Sequence, residues 1–311
     1  MLFRSVTGLK SDKIGNFTFS PDGSLMAGGC RDNSVRIWEV ASLKERYRLP
    51  GASYVVAFTR DGSKLLAATA AGVAQWWDFR AKTQRAVPEY AGFGQLTSVA
   101  LSVDGRVAAV GRSDGAVQLL EIDSGKVLGT YRGHTDAVLS VTFAPGARIF
   151  ATGGRDKAIR IWDAQVPGKS LQICTEHKGA VGGLAISSDG RMMVSGCSAN
   201  TIKFWDLRHL SQSSFTSISW HQSAIRTLAF SPDQRILASG SEDKTVKLWD
   251  IASRRQLASY NFDAAIRMVA FSADANNLAV VLDNGTVHLL RTVALADADE
   301  EIRTFYASQP K

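Results

Sequence analysis

The sequence predicts an all-β fold, a seven-bladed β-propeller whose four-stranded antiparallel blades surround a central channel. Three observations predict it. A short run closing on Trp-Asp, or on a degenerate form of that pair, occurs seven times, with its aromatic or leucine at Trp38, Trp77, Leu120, Trp162, Trp205, Trp249 and Leu290. The mean interval is about 42 residues, the length of one four-stranded blade. Within the intervals, short stretches of alternating apolar and polar residues are broken by Pro-Asp, Asp-Gly or Pro-Gly pairs, as in half-buried strands joined by tight turns. No stretch carries a convincing amphipathic helical period.

The copies run in order along the chain. RDNSVRIWEV begins at Arg31, AAGVAQWWDF at Ala70, SDGAVQLLEI at Ser113 and RDKAIRIWDA at Arg155. SANTIKFWDL begins at Ser198, EDKTVKLWDI at Glu242 and DNGTVHLLRT at Asp283. Upstream of each lies a hairpin run such as VLSVTFAPGARIFATGG or IRTLAFSPDQRILASGS, and downstream a further short run such as GKVLGTYRG or RRQLASYNF. Together these give four strands per interval. A ring of blades needs its last sheet completed from elsewhere in the chain, because an unpaired edge templates aggregation. LFRSVTG from Leu2 holds the register that LGTYRG holds before the fourth copy, and is the expected closing strand; EIRTFYA from Glu301 is the alternative. Residues 1–311 read as one domain, with 293–311, including ADADEE at 296–301, as an acidic loop and C-terminal tail.

Composition is that of an ordinary globular chain: 311 residues, 45% hydrophobic and 21% charged. The opening MLFRSVTGLKSDKIGNF has no apolar signal core, and no run approaches the roughly 18 apolar residues of a membrane span, so an unexported protein without membrane insertion is expected. Cys30, Cys174 and Cys197 are odd in number and lack C-x-x-C spacing, which points to a reducing cytoplasm, or the nucleus in a eukaryote, rather than to a disulfide framework or zinc ribbon. The sequons at Asn16 and Asn284 carry little weight without export. A net charge of +7 favours acidic partners in general, although no run of five or more Lys or Arg concentrates it.

At this point the chain resembles the WD-repeat β-propeller family as a degenerate seven-repeat member, over residues 2 to 292 at least. The fourth and sixth copies carry the resemblance best. The fourth has Gly133-His134, Thr152, Asp156 and Trp162-Asp163; the sixth has His221 after Trp220, then Ser239, Asp243 and Trp249-Asp250. The resemblance implies that His134, Thr152, Asp156 and Trp162, and likewise His221, Ser239, Asp243 and Trp249, form hydrogen-bonded structural tetrads. His and Asp are 22 residues apart in both copies. In the fifth copy His177, Ser195 and Trp205 remain, while Ala199 stands where the acid belongs. The other copies keep less, so apolar packing is expected to hold most of the ring.

No constellation points to catalysis, a metal or a cofactor. GRSDG at 111–115 fits G-x-S-x-G, but a nucleophile elbow needs a strand turning into a helix, and here a strand follows. His134, His177 and His221 recur on successive blades, too far apart for bonds of about 2 Å to one zinc. GFGQLT at Gly92 lacks the third glycine of a dinucleotide loop, and no phosphate loop occurs. Trp76 and Trp77 are expected on opposite faces of their strand, one between blades and the other against a neighbouring strand or solvent.

The family resemblance implies a non-catalytic protein-interaction scaffold that binds a partner segment on the channel face. Carried over position by position, that face comprises Lys13, Arg31, Tyr54, Gln95, Leu139, Arg155, Arg226, Glu242, Arg267 and Asp283, with small residues such as Ala180, Gly182 and Ser198 between them. Arg226, Arg267, Lys13 and Arg31 would make one side basic, with Glu242 and Asp283 opposing, and would suit an acidic or phosphorylated protein or peptide. A nucleic-acid-binding propeller using the same basic face is the alternative.

Overall fold

The computed structural model describes residues 2–10, 14–30, 32–50, 56–59, 61–68, 74–78, 83–86, 95–122, 124, 126–168, 170–209 and 216–293. Strands and turns account for them, with no helix among the described residues. The first strand is β1 (Leu2–Lys10). Blade 1 is β2 (Ile14–Phe19), β3 (Leu25–Cys30), β4 (Ser34–Glu39) and β5 (Glu45–Pro50); blade 2 is β6 (Val56–Phe58), β7 (Lys64–Ala68), β8 (Ala74–Asp78) and β9 (Thr83–Ala86). Blade 3 is β10 (Leu96–Leu101), β11 (Val107–Arg112), β12 (Val117–Glu121) and β13 (Val127–Tyr131); blade 4 is β14 (Val138–Phe143), β15 (Ile149–Gly154), β16 (Ile159–Asp163) and β17 (Ser170–Cys174). Blade 5 is β18 (Val181–Ile186), β19 (Met192–Cys197), β20 (Ile202–Asp206) and β21 (Thr216–Ile218); blade 6 is β22 (Ile225–Phe230), β23 (Ile236–Ser241), β24 (Thr245–Asp250) and β25 (Gln256–Asn261). Blade 7 takes β26 (Ile266–Phe271), β27 (Asn277–Leu282) and β28 (Thr286–Val293).

Seven four-stranded sheets result, six of them in simple chain order and one in the order β1-β28-β27-β26. The ring is thus closed by the N-terminal strand, which pairs antiparallel with β28 from Leu2 opposite Val293 to Lys10 opposite Thr286. Of the 293–311 segment only Val293 is described, as the last residue of β28; the EIRTFYA alternative lies outside the described residues.

The core is divided among the seven junctions between blades rather than gathered in the channel. Each junction has one buried cluster, such as Ala109, Val117, Tyr131, Val138, Phe150 and Trp162 between blades 3 and 4. The cluster between blades 7 and 1 joins Phe17, Met26 and Trp38 to Ala279, Val281 and Leu289, and so seals the closure. Burying these side chains, at roughly 25 cal/mol per Å² of apolar surface, is the main driving force holding the blades together. Both members of the tandem Trp pair join such junctions: Trp76 is buried towards blade 3 and the part-buried Trp77 packs towards blade 1. Neither is a solvent-facing contact residue, because each face of an inner blade is covered by a neighbour.

Two sets of turns set the strand spacing. At the end of the ring where the first and second strands of a blade meet, a hydroxyl bonds the carboxylate two residues on: Ser20 to Asp22, Thr59 to Asp61, Ser102 to Asp104, Ser187 to Asp189, Ser231 to Asp233 and Ser272 to Asp274, at 2.5–2.6 Å. These bonds lower the acids' pKa values; Asp61, which accepts the Ser63 hydroxyl as well as that of Thr59, comes down to about 2. At the opposite end the turn between the second and third strands needs a left-handed residue, supplied by Gly115 at φ 81°, Lys157 at 69° and Lys244 at 67°. The acid before it accepts the amide two residues on, as Asp156 does from Ala158 and Asp243 from Thr245.

Candidate functional site

In blade 4 the hydrogen bonds run in one direction. The Trp162 indole N–H donates to Thr152 Oγ1 at 2.8 Å, and Thr152 Oγ1 lies 2.8 Å from His134 Nε2. His134 Nδ1 is 2.9 Å from Asp156 Oδ1; since an ionised carboxylate only accepts, Nδ1 carries the hydrogen and Nε2 accepts the threonine hydroxyl. Asp156 also accepts the Thr135 amide at 3.0 Å. Blade 6 repeats the arrangement: Trp249 donates to Ser239 at 2.8 Å, Ser239 Oγ sits 2.7 Å from His221 Nε2, and His221 Nδ1 donates to Asp243 at 2.8 Å. Burial lowers the pKa of both histidines despite their acids. Burial works to raise Asp243, but its bonds from Thr245, Gln222 and His221 bring it down to about 2. These groups are consumed in structural bonds, each set within its own blade.

Blade 5 shows the cost of the lost acid. Trp205 donates to Ser195 at 2.7 Å and Ser195 lies 2.6 Å from His177 Nε2, but His177 Nδ1 is buried with no partner among the described residues. Burial first, and the Lys203 charge second, push the His177 pKa down to about 4. A base whose folded pKa is depressed binds its proton later than the unfolded chain does, so stability is lost as pH falls from about 6.5 towards that value. Ala199→Asp is expected to give Nδ1 an acceptor and to add about 0.5–1.5 kcal/mol near neutral pH. It should also flatten the fall in melting midpoint between pH 6.5 and 4, as read by thermal melts of variant and parent.

Blade 3 solves the same problem differently. A Cβ on Gly154 would lie 2.3 Å from Asp156 Oδ1 and 2.5 Å from His134 Nδ1, so the tetrad of blade 4 closes tightly over this glycine, whereas blade 6 seats Ser241 at the same register beside its own tetrad. The equivalent residue of blade 3, which has no such histidine, is Arg112, only 2% exposed, with Nη1 donating to Gln118 Oε1 at 2.7 Å. Ser113 beside it accepts the Gln95 backbone amide at 2.9 Å, which is a turn-capping role.

The channel opens at the end where these second-to-third-strand turns lie. A cavity of about 600 Å³ there is lined by residues of the inner strands of blades 3 to 7, together with Arg155. Leu139, Arg155, Arg226 and Arg267 line it, while Glu242 and Asp283 stand beside it through their ion pairs. Gln95 is exposed near the same mouth, and Lys13, Arg31 and Tyr54 lie outside the described residues.

The expectation of a basic side is corrected in blades 6 and 7. Arg226 is clamped by Glu242, with Nε at 2.9 Å and Nη2 at 2.8 Å from Oε1, and by Asp283 at 2.6 Å from Nη1. Arg267 Nη1 is 3.5 Å from the other oxygen of Asp283. Two arginines and two acids cancel, because Asp283 of blade 7 reaches across to the guanidinium of blade 6. Arg155 differs: it is exposed and pairs with no acid among the described residues. An aromatic that sequence reasoning passed over also faces solvent. Trp220 is 60% exposed, its ring edge-on to Trp249 at 6.0 Å. Its signal was the replacement of the glycine that precedes His134 in the fourth copy.

Comparison with known proteins agrees with this geometry. Residues 4–39, 125–163, 168–206 and 212–250 match the family model for the WD domain, G-beta repeat. The chain is 26% identical over 193 residues to Periodic tryptophan protein 2 of Arabidopsis thaliana, covering 61% of this chain and 21% of that protein. It is 31% identical over 105 residues to WD repeat and SOCS box-containing protein 1 of Xenopus tropicalis, covering 33% of this chain and 25% of that protein, and 30% identical to the human protein of that name over the same length. The chain thus spans about a fifth to a quarter of the length of the curated relatives it matches.

Proposed function

Since the chain is a WD-repeat protein, a family whose propellers generally serve as protein-interaction scaffolds, we propose that it is a non-catalytic scaffold that holds an acidic or phosphorylated segment of a partner protein at the channel mouth. The observation that carries this reading is Arg155, an exposed guanidinium without an acidic partner among the described residues, at the rim of the cavity of about 600 Å³. Its planar fork suits bidentate contact with a carboxylate or phosphate. The sector beside it, with Ala180, Gly182 and Ser198, is small and uncharged, so a chain can approach closely. Cancellation of Arg226 and Arg267 by Glu242 and Asp283 shortens the basic surface and favours a short acidic segment over a polyanion, which would need a continuous stripe of cations.

Affinity purification of tagged wild type and Arg155→Glu from the native cell extract, after nuclease treatment, tests it. The reversal is expected to leave the melting midpoint nearly unchanged, since an exposed charge contributes under about 1 kcal/mol, and to reduce recovery of specific partners several-fold, most strongly at low salt. Lys126→Glu, beside the outer strand β13, serves as control and should recover partners as wild type does. Equal recovery by Arg155→Glu at low salt contradicts the reading, and loss of all partners on nuclease treatment supports the nucleic-acid alternative.

A further inference from the structure

The second strand of every blade opens on a residue that pairs across the sheet with the residue following the Trp or Leu of the third strand. In blades 1, 3, 4, 5 and 6 that opening residue is apolar, namely Leu25, Val107, Ile149, Met192 and Ile236, and it wedges into the core of the junction with the next blade. Its partner across the ladder is an acid in each of blades 1 to 6: Glu39, Asp78, Glu121, Asp163, Asp206 and Asp250. Blade 7 breaks both rules. Its pair is Asn277 with Arg291, an amide in place of the apolar wedge and a cation in place of the acid.

A cleft of about 700 Å³ opens at this pair, between the Gly23-Ser24 turn of blade 1 and Asp274 and Asn276 of blade 7, with Arg46 at its edge. It lies at the end of the ring that carries the first-to-second-strand turns, opposite the channel mouth. Blade 2, which opens on Lys64, has a cleft of about 460 Å³ at its junction with blade 3, so the missing wedge accounts for the space in both places. At blade 7 the space is faced by groups that the fold leaves unused. Asn277 is only 9% exposed, and its side-chain amide bonds no other group among the described residues. A buried amide left in that state destabilises the fold unless something else satisfies it. Arg291 donates from Nη2 to Val40 O at 3.1 Å and to Ala41 O at 3.5 Å, and meets no carboxylate among the described residues. The acids of the cleft are engaged elsewhere: Asp274 accepts the Ser272 hydroxyl and both N–H groups of Asn276, and Glu39 pairs with Arg46.

We propose that the cleft between blades 7 and 1 is a second binding site, separate from the channel mouth, for an extended acidic peptide segment of a partner protein. Arg291 takes a carboxylate of that segment, and Asn277 pairs with the adjoining peptide group. A side-chain amide presents the donor and the acceptor that a peptide group needs, and the remaining guanidinium nitrogens suit a carboxylate. A small apolar ligand fits less well. Sites for such ligands are walled mainly by apolar and aromatic side chains, whereas Ser24, Glu39, Asn276, Asn277 and the two arginines make up most of these walls. The site shares no residue with the cavity at the channel mouth, so the two readings stand or fall separately.

The test uses the full chain carrying Arg155→Glu, which removes the channel-mouth cation and leaves the cleft intact. A fluorescein-labelled peptide alternating glutamate with serine is titrated at low salt and read by fluorescence anisotropy, beside a glutamine-for-glutamate peptide and a glutamate peptide N-methylated along its backbone. The glutamate peptide is expected to bind about tenfold more tightly than either of the others, the size of effect that one charge-assisted hydrogen bond or one lost peptide pairing gives. Two further substitutions act on the cleft. Asn277→Leu restores the wedge of the other blades, and Asn277→Asp gives Arg291 a carboxylate of its own; each should weaken the glutamate peptide about tenfold. The melting midpoint of Asn277→Leu should equal or exceed that of its parent, because an unpaired amide is replaced by apolar packing. Equal binding of the glutamate and glutamine peptides by the parent, or affinity unchanged in both Asn277 variants, overturns the site. Affinity unchanged by N-methylation overturns the pairing of Asn277 with a peptide group. Failure of the glutamate peptide to bind the Arg155→Glu chain when it binds wild type also overturns the cleft, and assigns that binding to the channel mouth.

Discussion

Trp162→Ala is expected to cost about 3–5 kcal/mol, the range for removing a large aromatic from a packed core. The indole is 1% exposed, lies 6.2 Å from Phe150 in a stacked arrangement, and meets the edge of Tyr131 at 5.6 Å. Its removal opens a cavity at the junction of blades 3 and 4 and leaves Thr152, 0% exposed, without its N–H donor. Trp162→Leu should be milder, since Leu120 already fills the corresponding place in blade 3, where Val110 replaces the hydroxyl and no donor is missed. Trp220→Ala is the contrast: its ring is largely in water and should cost under about 1 kcal/mol. Urea unfolding of the three variants checks the order. A Trp162→Ala loss no greater than that of Trp220→Ala would contradict the tetrad as a stabilising unit.

Deleting residues 2–10 is expected to abolish a soluble folded ring. β1 is the fourth strand of blade 7, and without it the β28 edge loses its partner along its length. An unpaired edge recruits other chains. Blade 7 also shares its inner cluster with blade 1, so loosening it weakens the seal that makes the ring continuous. Removal of 302–311 should be tolerated by comparison, as all four places in that sheet are filled by β26, β27, β28 and β1. Size-exclusion elution after refolding distinguishes the two truncations; a monodisperse folded product lacking β1 would contradict this role for the closure.

The blades were legible because their signals are local. Each repeat writes its own alternation and its own turn, so a period near 42 residues was enough to count seven sheets. The 22-residue interval from His to Asp likewise pointed to pairs that the structure holds at 2.8–2.9 Å. What escaped the sequence depends on neighbours in the ring. Arg226 and Asp283 are 57 residues apart and meet only because consecutive blades bring their turns together. Asp283 and Glu242 cancel two of the four cations expected on that flank, Arg226 and Arg267, while Lys13 and Arg31 lie outside the described residues. The β-bulge at Gly182, where the ladder of β18 and β19 shifts register between Val181 and Gly183, was equally hidden, because one unpaired residue leaves the apolar alternation on either side readable. Arg112 reads as a strand-end charge, yet it is buried with its guanidinium bonded to Gln118 on the adjacent strand. Trp76 fell on the buried side because its strand has a blade on both faces.

Site-specific photocrosslinking in cells tests the channel-mouth site most directly. A benzoylphenylalanine is placed at Ser198, exposed in the blade 5 turn at the mouth, and separately at Leu171, exposed on the outer strand β17. Leu171 is a demanding control, since Leu128, Val166 and Ile173 on the same outer flank of blades 3 and 4 are also 45–54% exposed. Discrete adducts with a partner protein from Ser198, lost when Arg155→Glu is added and absent from Leu171, are the expected result. Adducts from Leu171 with none from Ser198 would contradict it and move the binding surface to the outer rim.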